Sequence, residues 1–136
     1  MHAFRRAVEA GDIDAVEALL AEDVVFTSPV VFKPYPGKAI TAAILRAVSQ
    51  VFEDFRYVRE IGDPAGPDHA LVFTARVGDR ELTGCDFIHV NEDGLIDDLM
   101  VMVRPLSGAH ALAEAMGARF DDIVKEAEAR SAMPSS

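Results

Sequence analysis

The residue best suited to chemistry in this sequence is Asp86, a carboxylate within an otherwise apolar strand. Residues 82–104 contain two segments with alternating apolar side chains, separated by the turn-forming residues Asn-Glu-Asp-Gly at 91–94. This pattern predicts a long antiparallel hairpin. Because successive side chains of a strand point to opposite faces, Asp86 shares its face with apolar neighbours. The two faces of the first strand carry Gly84, Asp86, Ile88 and Val90 on one side, and Cys85, Phe87 and His89 on the other.

Burial disfavours the charged form of a carboxyl group, so the sequence predicts a raised pKa for Asp86 and a neutral group at pH 7. Two interpretations stay open. In the first, Asp86 is a general acid or base, or the polar anchor of a ligand. In the second, it only hydrogen-bonds to Ser28, to an internal water or to a backbone amide.

The other reactive side chains do not form a recognisable motif. The four histidines have no metal-binding spacing, and His89 lies on the face opposite Asp86. Cys85 also lies on that opposite face and is interpreted as a packing residue. No glycine-rich phosphate loop and no nucleophile elbow occurs in the sequence. We therefore predict no metal ion and no cofactor.

Composition narrows the class of protein further. The 136 residues, half of them hydrophobic, suffice for one domain with its own core, predicted over residues 1–130 with a disordered tail at 131–136. A formal charge of -10 argues against nucleic acid and anionic membranes as partners. With a single cysteine and no signal peptide or apolar span, a cytoplasmic location is expected.

The periodicity predicts helices first and strands later. We expect a short helix before Gly11, a second helix from Asp12 to Asp23, a strand over 24–27 and an irregular loop over 30–38. A long helix over 39–54 precedes strands at 55–61 and 70–77 and the hairpin. A last helix, capped by Ser107 and interrupted or loosened at Gly117, runs to about residue 130. This order indicates an α+β fold.

Two segments of the chain resemble the nuclear transport factor 2-like superfamily. The N-terminal one is GDIDAVEALLAEDVVFTSPV and the C-terminal one is TGCDFIHVNEDGLIDDLMVMV. Within it, the chain resembles the SnoaL-like and ketosteroid-isomerase-like proteins, whose fold is called cystatin-like. The resemblance covers roughly residues 1–106. It implies a cone-shaped, strongly curved mixed or antiparallel sheet wrapped around a long helix, with an additional C-terminal helix. The family includes both enzymes and binding proteins, so the fold alone does not name a function.

The ketosteroid isomerases offer a comparison of single positions. Their catalytic base, an aspartate before Pro-Val, corresponds to Ser28, and their oxyanion tyrosine corresponds to Phe4. Their supporting tyrosine falls near Leu45, whereas their oxyanion aspartate corresponds to Asp86. A serine hydroxyl cannot abstract the proton unaided, so the resemblance implies that steroid isomerase activity is lost.

The cone interior is predicted to bind a small, mostly apolar molecule with Asp86 as its polar anchor. The alternative is an enzyme of the isomerase, cyclase, dehydratase or hydrolase type with Asp86 as general acid or base. The predicted pocket residues are Phe4, Ser28, Phe73, Asp86, Ile88, Leu99, Val101 and Val103.

The second face of the hairpin is also apolar. In the fold that the resemblance implies, the chain's own helices leave this face uncovered, so it should meet a partner. The sequence therefore predicts a homodimer through Phe87, His89, Met100 and Met102.

Overall fold

Strand-forming segments from both halves of the chain pair into one sheet in the computed structural model, which describes residues 2–132. In chain order the elements are α1 (Ala3–Glu9), α2 (Ile13–Ala18), β1 (Leu20–Thr27), β2 (Tyr35–Pro36), α3 (Lys38–Val51), β3 (Glu53–Ile61), β4 (Asp68–Val77), β5 (Arg80–Val90), β6 (Ile96–Arg104), α4 (Leu106–Gly117) and α5 (Phe120–Ala132). The strand order is β2-β1-β6-β5-β4-β3. The predicted α+β class is confirmed.

The predicted hairpin is formed by β5 and β6. Its turn is held by the side chain of Asn91, whose Oδ1 accepts hydrogen bonds from the backbone amides of Asp93 at 2.9 Å and Leu95 at 3.0 Å. Gly94 has a φ of 78°, which a residue without a Cβ adopts at little cost. This turn sets the register in which Asp86 pairs with Val101, so both side chains lie on the same face.

The sheet is mixed because β1 runs parallel to β6, whereas the other neighbouring strands are antiparallel. Register shifts interrupt the pairing of β1 with β6, of β3 with β4 and of β5 with β6. Such bulges bend a strand and increase its twist. They curve the sheet around α3, as the resemblance implies.

The long helix α3 supplies the other half of the core. Its buried residues are Thr41, Ala42, Ala43, Ile44, Ala47 and Val51. Because residues 41–44 are consecutive, α3 is buried on more than one side there, and it packs against both β1 and α5. No helix in the described part of the chain is long and apolar enough to cross a membrane.

Several predicted boundaries are wrong, and strand pairing explains two of them. The second helix ends at Ala18 instead of Asp23, since Leu20 pairs with Ile96 and begins β1. The loop over 30–38 contains β2, which pairs with β1. At the start of α4 the cap position is Pro105, not Ser107.

The C-terminal region agrees only in part with the prediction. The break at Gly117 is confirmed, because α4 ends there and α5 begins at Phe120. Of the predicted tail at 131–136, the first two residues belong to α5 and the rest lie outside the described residues.

On the outer face of the hairpin, Phe87 and Met102 have 42% and 54% of their surface exposed. The predicted homodimer stays a prediction. If two copies pair through this face, replacing Met100 and Met102 with glutamate should give a monomer by light scattering, because the charges would lose their hydration in the interface. Phe32→Glu, at a side chain that is 99% exposed in a loop, should leave the dimer mass unchanged. A monomeric unmodified protein would contradict the prediction.

Candidate functional site

The inner face of the sheet and the helices enclose a cavity of about 700 Å³. Its walls come from α1, α3, the strands, the 28–31 segment and the C-terminal helices, and most of the lining side chains are apolar. They include Phe4, Phe52, Phe55, Phe73, Leu112 and Met116. The polar side chains in the lining are those of Ser28, Tyr35, Ser49, Tyr57 and Asp86.

Asp86 lies on the inner face of β5, as alternation predicts, and only 6% of its surface is exposed. Its Cα partners are Leu71 on β4 and Val101 on β6, so its neighbours in the sheet are apolar. Thr41 is also buried, but its hydroxyl donates to the backbone oxygen of Gly37 at 2.8 Å, and it is not part of the cavity lining. Asp86 is therefore the buried carboxyl group that faces the cavity.

The carboxyl group of Asp86 has one hydrogen-bond partner among the described residues. The hydroxyl group of Tyr57 donates to Asp86 Oδ2 at 2.7 Å, within the buried part of the molecule. Tyr57 belongs to β3, two strands away from β5, and only 4% of its surface is exposed. The bond therefore spans β4 on the inner face of the sheet.

Aromatic rings pack around this bond. The rings of Phe55 and Phe73 are nearly parallel with centroids 4.8 Å apart, and Phe55 contacts Tyr57 edge to face at 5.0 Å. Phe73 lies over Gly84, where an added Cβ would overlap its ring. The absence of a side chain at position 84 thus gives Phe73 its place beside Asp86.

Burial raises the pKa of Asp86 to about 7, and the hydrogen bond from Tyr57 opposes this rise because it stabilises the charged form. The sequence predicts the direction correctly but misses the donor. Asp86 therefore does not stay fully neutral at pH 7, since a pKa near 7 leaves both forms populated. Burial, followed by the charge of Asp86, raises the pKa of Tyr57, so its hydroxyl stays protonated.

Five of the predicted pocket residues line the cavity, namely Phe4, Ser28, Phe73, Asp86 and Val101. Ser28 does not bond to Asp86: its Oγ accepts a hydrogen bond from the backbone amide of Val30 at 3.1 Å. This local bond shapes the turn that follows β1. Whether these side chains contact a ligand stays a prediction.

The other three predicted pocket residues, Ile88, Leu99 and Val103, lie outside the cavity lining. Ile88 and Leu99 pair across the hairpin two residues beyond the Asp86 pair, on the same face, and both are buried in the core. Val103 pairs with Gly84 and packs against the core. Alternation gives the correct face for these residues but not the depth of the cavity along the strands.

Tyr57, the second polar group of the site, is absent from the pocket that the sequence predicts. Alternation over the strand at 55–61 puts Phe55 and Tyr57 on one face, which was a usable signal. It did not show that this face meets Asp86, because the two strands are adjacent neither in sequence nor in the sheet. The position near Leu45, where the resemblance implies a tyrosine, lines the cavity with an apolar side chain instead.

The histidines lie away from Asp86. His89 is on the outer face, where its Nδ1 is 2.6 Å from Asp97 Oδ1 and this hydrogen bond raises its pKa. The rings of His2 and His69 contact each other edge to face at 4.6 Å. Within residues 2–132, no group of three or more His, Cys, Asp or Glu side chains is placed to hold a metal ion.

Similarity to known proteins identifies the protein family of this chain. A model of the SnoaL-like domain family matches residues 1–99, which is most of the chain. The chain therefore belongs to the SnoaL-like family, which shares the nuclear transport factor 2-like fold. No curated protein matches the chain.

Two solved structures are similar in sequence as well as in fold. One is described as a steroid delta-isomerase from Pseudomonas aeruginosa, with 43% identity, a TM-score of 0.83 and coverage of 90% of this chain and 89% of that one. The other is an uncharacterized protein with a cystatin-like fold from Silicibacter pomeroyi, with 41% identity, a TM-score of 0.84 and coverage of 93% and 90%.

A more distant structure shares the fold alone. It is described as a putative polyketide cyclase from Pseudomonas putida, with 22% identity, a TM-score of 0.63 and coverage of 78% of this chain and 89% of that one.

The raised pKa of Asp86 predicts a specific dependence of stability on pH. The folded protein binds the proton more tightly than the unfolded chain, so this group's contribution to stability is lost as pH rises from the ordinary value of 3.8 to about 7. That interval of about three pH units corresponds to a loss on the order of 4 kcal/mol relative to Asp86→Asn, which does not titrate. Urea denaturation of both proteins from about pH 5.5 to about pH 8 would measure the upper part of this difference. A difference that stays constant with pH would show that Asp86 titrates as a solvated group.

Proposed function

We propose that this protein binds a small, uncharged and mostly apolar molecule in its cavity, with a carbonyl or hydroxyl group of that molecule at Asp86. The observation that carries the proposal is the position of Asp86, a buried and hydrogen-bonded carboxyl group on the wall of an apolar cavity. Pockets of this kind use a few polar groups to orient a ligand and apolar walls to bind it.

Size and charge restrict the ligand. A cavity of about 700 Å³ lies within the range of pockets that hold drug-sized molecules. The described lining contains no Lys, Arg or His side chain that could pair with an anion. The formal charge of -10 also disfavours anions at a distance. An uncharged ligand is therefore preferred.

We also propose a compartment for the protein and exclude two kinds of partner. The single cysteine, Cys85, is not in a disulfide, which suits a reducing cytoplasmic compartment. Nucleic acid and membranes are not proposed as partners, because the acidic chain would be repelled by their phosphates.

A second candidate function is proton transfer on the bound molecule by Asp86. The specific observation in its favour is the pKa of about 7, which lets the same group accept and return a proton near neutral pH. The steroid isomerase activity in the description of the Pseudomonas aeruginosa protein is not carried over. Ser28 and Phe4 occupy the positions of that family's base and oxyanion donor, so Asp86 would act without them.

Binding can be tested with prodan, an uncharged naphthyl ketone whose emission shifts to the blue in an apolar site. We expect prodan to bind and to raise the melting temperature, whereas the anion naphthoate should do neither. Asp86→Leu should weaken prodan binding about tenfold, the equivalent of one lost hydrogen bond, and Asp86→Asn should retain it. Preferential stabilisation by naphthoate would contradict the proposed pocket chemistry.

Proton transfer can be tested without knowing the natural substrate. Beta-tetralone is an uncharged bicyclic ketone with acidic hydrogens beside its carbonyl group. In heavy water, ionised Asp86 would take one of these protons and leave an enolate. The carboxyl proton would exchange with a solvent deuteron, which the group would then return to the same carbon. We expect protein-dependent deuterium uptake by NMR that falls about a hundredfold or more in Asp86→Asn. Cys85→Ala, on the opposite face of β5, is the matched control. Uptake equal in the protein and in Asp86→Asn would leave binding as the function.

A further inference from the structure

Tyr57 forms a hydrogen bond with only one of the two carboxyl oxygens of Asp86. Its hydroxyl donates to Asp86 Oδ2 at 2.7 Å, and no described protein group forms a hydrogen bond with Oδ1. Both residues line the cavity, although each is almost completely buried. The oxygen that remains for a ligand is therefore Oδ1.

Packing fixes the position of the Tyr57 hydroxyl. The ring of Phe55 contacts Tyr57 edge to face with centroids 5.0 Å apart, and the ring of Phe73 lies at 6.2 Å. The guanidinium group of Arg5 lies over the ring at 5.9 Å from its centroid. A donor held on several sides is preorganised, so its hydrogen bond does not depend on the arrival of a ligand.

We propose that Tyr57 is a positioning residue, which presents Oδ1 of Asp86 to the ligand and stabilises the charged form of the carboxyl group. The inference rests on the proposed function of the cavity. When Asp86 is protonated, Tyr57 continues to donate to Oδ2, so the carboxyl proton resides on Oδ1 and can be donated to a ligand carbonyl. When Asp86 is charged, Oδ1 is the acceptor for a ligand hydroxyl or for a proton.

Few other groups can influence this pair. From α1, Arg5 and Glu9 act on Tyr57 and are bonded to each other at 3.2 Å. From β4 and β6, the Cα partners of Asp86 are the apolar residues Leu71 and Val101. The part of α3 that lines the cavity contributes no ionisable side chain. Tyr57 is thus the principal group through which the protein adjusts the proton affinity of Asp86.

The first test is the carboxyl titration of Asp86 by carbon-detected NMR in Tyr57→Phe. Loss of a hydrogen bond to a charged group should raise the pKa of Asp86 by about one to two pH units above the wild-type value. Tyr35→Phe is the matched control, because it removes a hydroxyl group from the same cavity without touching Asp86, and it should leave this titration unchanged. An unmoved titration in folded Tyr57→Phe would overturn the proposal.

A second variant avoids the loss of the hydroxyl group. The chain has two tyrosines, so Tyr57 is the only one in Tyr35→Phe. Incorporation of ring-fluorinated tyrosine into the Tyr35→Phe variant therefore labels Tyr57 alone. The fluorine makes the hydroxyl of Tyr57 a stronger hydrogen-bond donor without removing it. The pKa of Asp86 should then fall below that of unlabelled Tyr35→Phe, the opposite direction from Tyr57→Phe. If the pKa of Asp86 shifts in the same direction in Tyr57→Phe and in the fluorinated protein, the effect comes from packing and not from the hydrogen bond.

The ligand gives an independent measurement. Affinity for prodan should decrease as pH rises through the pKa of Asp86, because the protonated carboxyl donates to the ketone. In Tyr57→Phe the midpoint of this decrease should move to higher pH together with the carboxyl titration. A structural role alone would lower affinity at every pH without moving the midpoint. If prodan fails to bind the wild-type protein, the proposed function fails, whereas the NMR titration, which needs no ligand, still decides the role of Tyr57.

Discussion

The burial of a single carboxyl group is the constraint on which the site depends. Asp86 lies between apolar strand partners, so its charged form loses hydration and its pKa rises. One hydroxyl group, that of Tyr57, opposes this effect. The balance of the two leaves a carboxyl group that is neither permanently charged nor permanently neutral near pH 7. A second donor would favour the charged form, and the loss of Tyr57 would favour the neutral form.

The fold supplies this balance through the curvature of its sheet. Tyr57 and Asp86 lie on strands separated by β4, where their Cα partners are Phe73 and Leu71, and their side chains meet on the inner face. Gly84 makes room for Phe73, whose ring packs with Phe55 beside the pair. The C-terminal helices then complete the cavity walls with apolar side chains, although the SnoaL-like family match ends at residue 99. The cavity is therefore built partly from chain beyond the family match.

The similarity to a protein described as a steroid delta-isomerase bears on the fold more directly than on the chemistry. By the resemblance to the ketosteroid isomerases, Ser28 and Phe4 correspond to that family's base and oxyanion tyrosine. Ser28 forms a local turn bond, and Phe4 is a buried apolar wall residue. What remains is one carboxyl group with one supporting tyrosine, and both proposed functions, ligand binding and proton transfer, rest on this pair.

The sequence by itself determined the α+β class, the hairpin and the inward direction of Asp86, because these follow from local periodicity and turn chemistry. The resemblance of two segments to the nuclear transport factor 2-like superfamily added the expectation of a curved sheet around a long helix. Only the tertiary structure decided that Leu20 begins a strand, since its pairing with Ile96 overrides the helical pattern. It also decided that Ile88 and Leu99 belong to the solid core and that Tyr57, not Ser28, bonds to Asp86. Alternation assigns a side chain to a face, but the depth of a cavity and contacts between non-adjacent strands depend on sheet order and curvature, which no local pattern encodes.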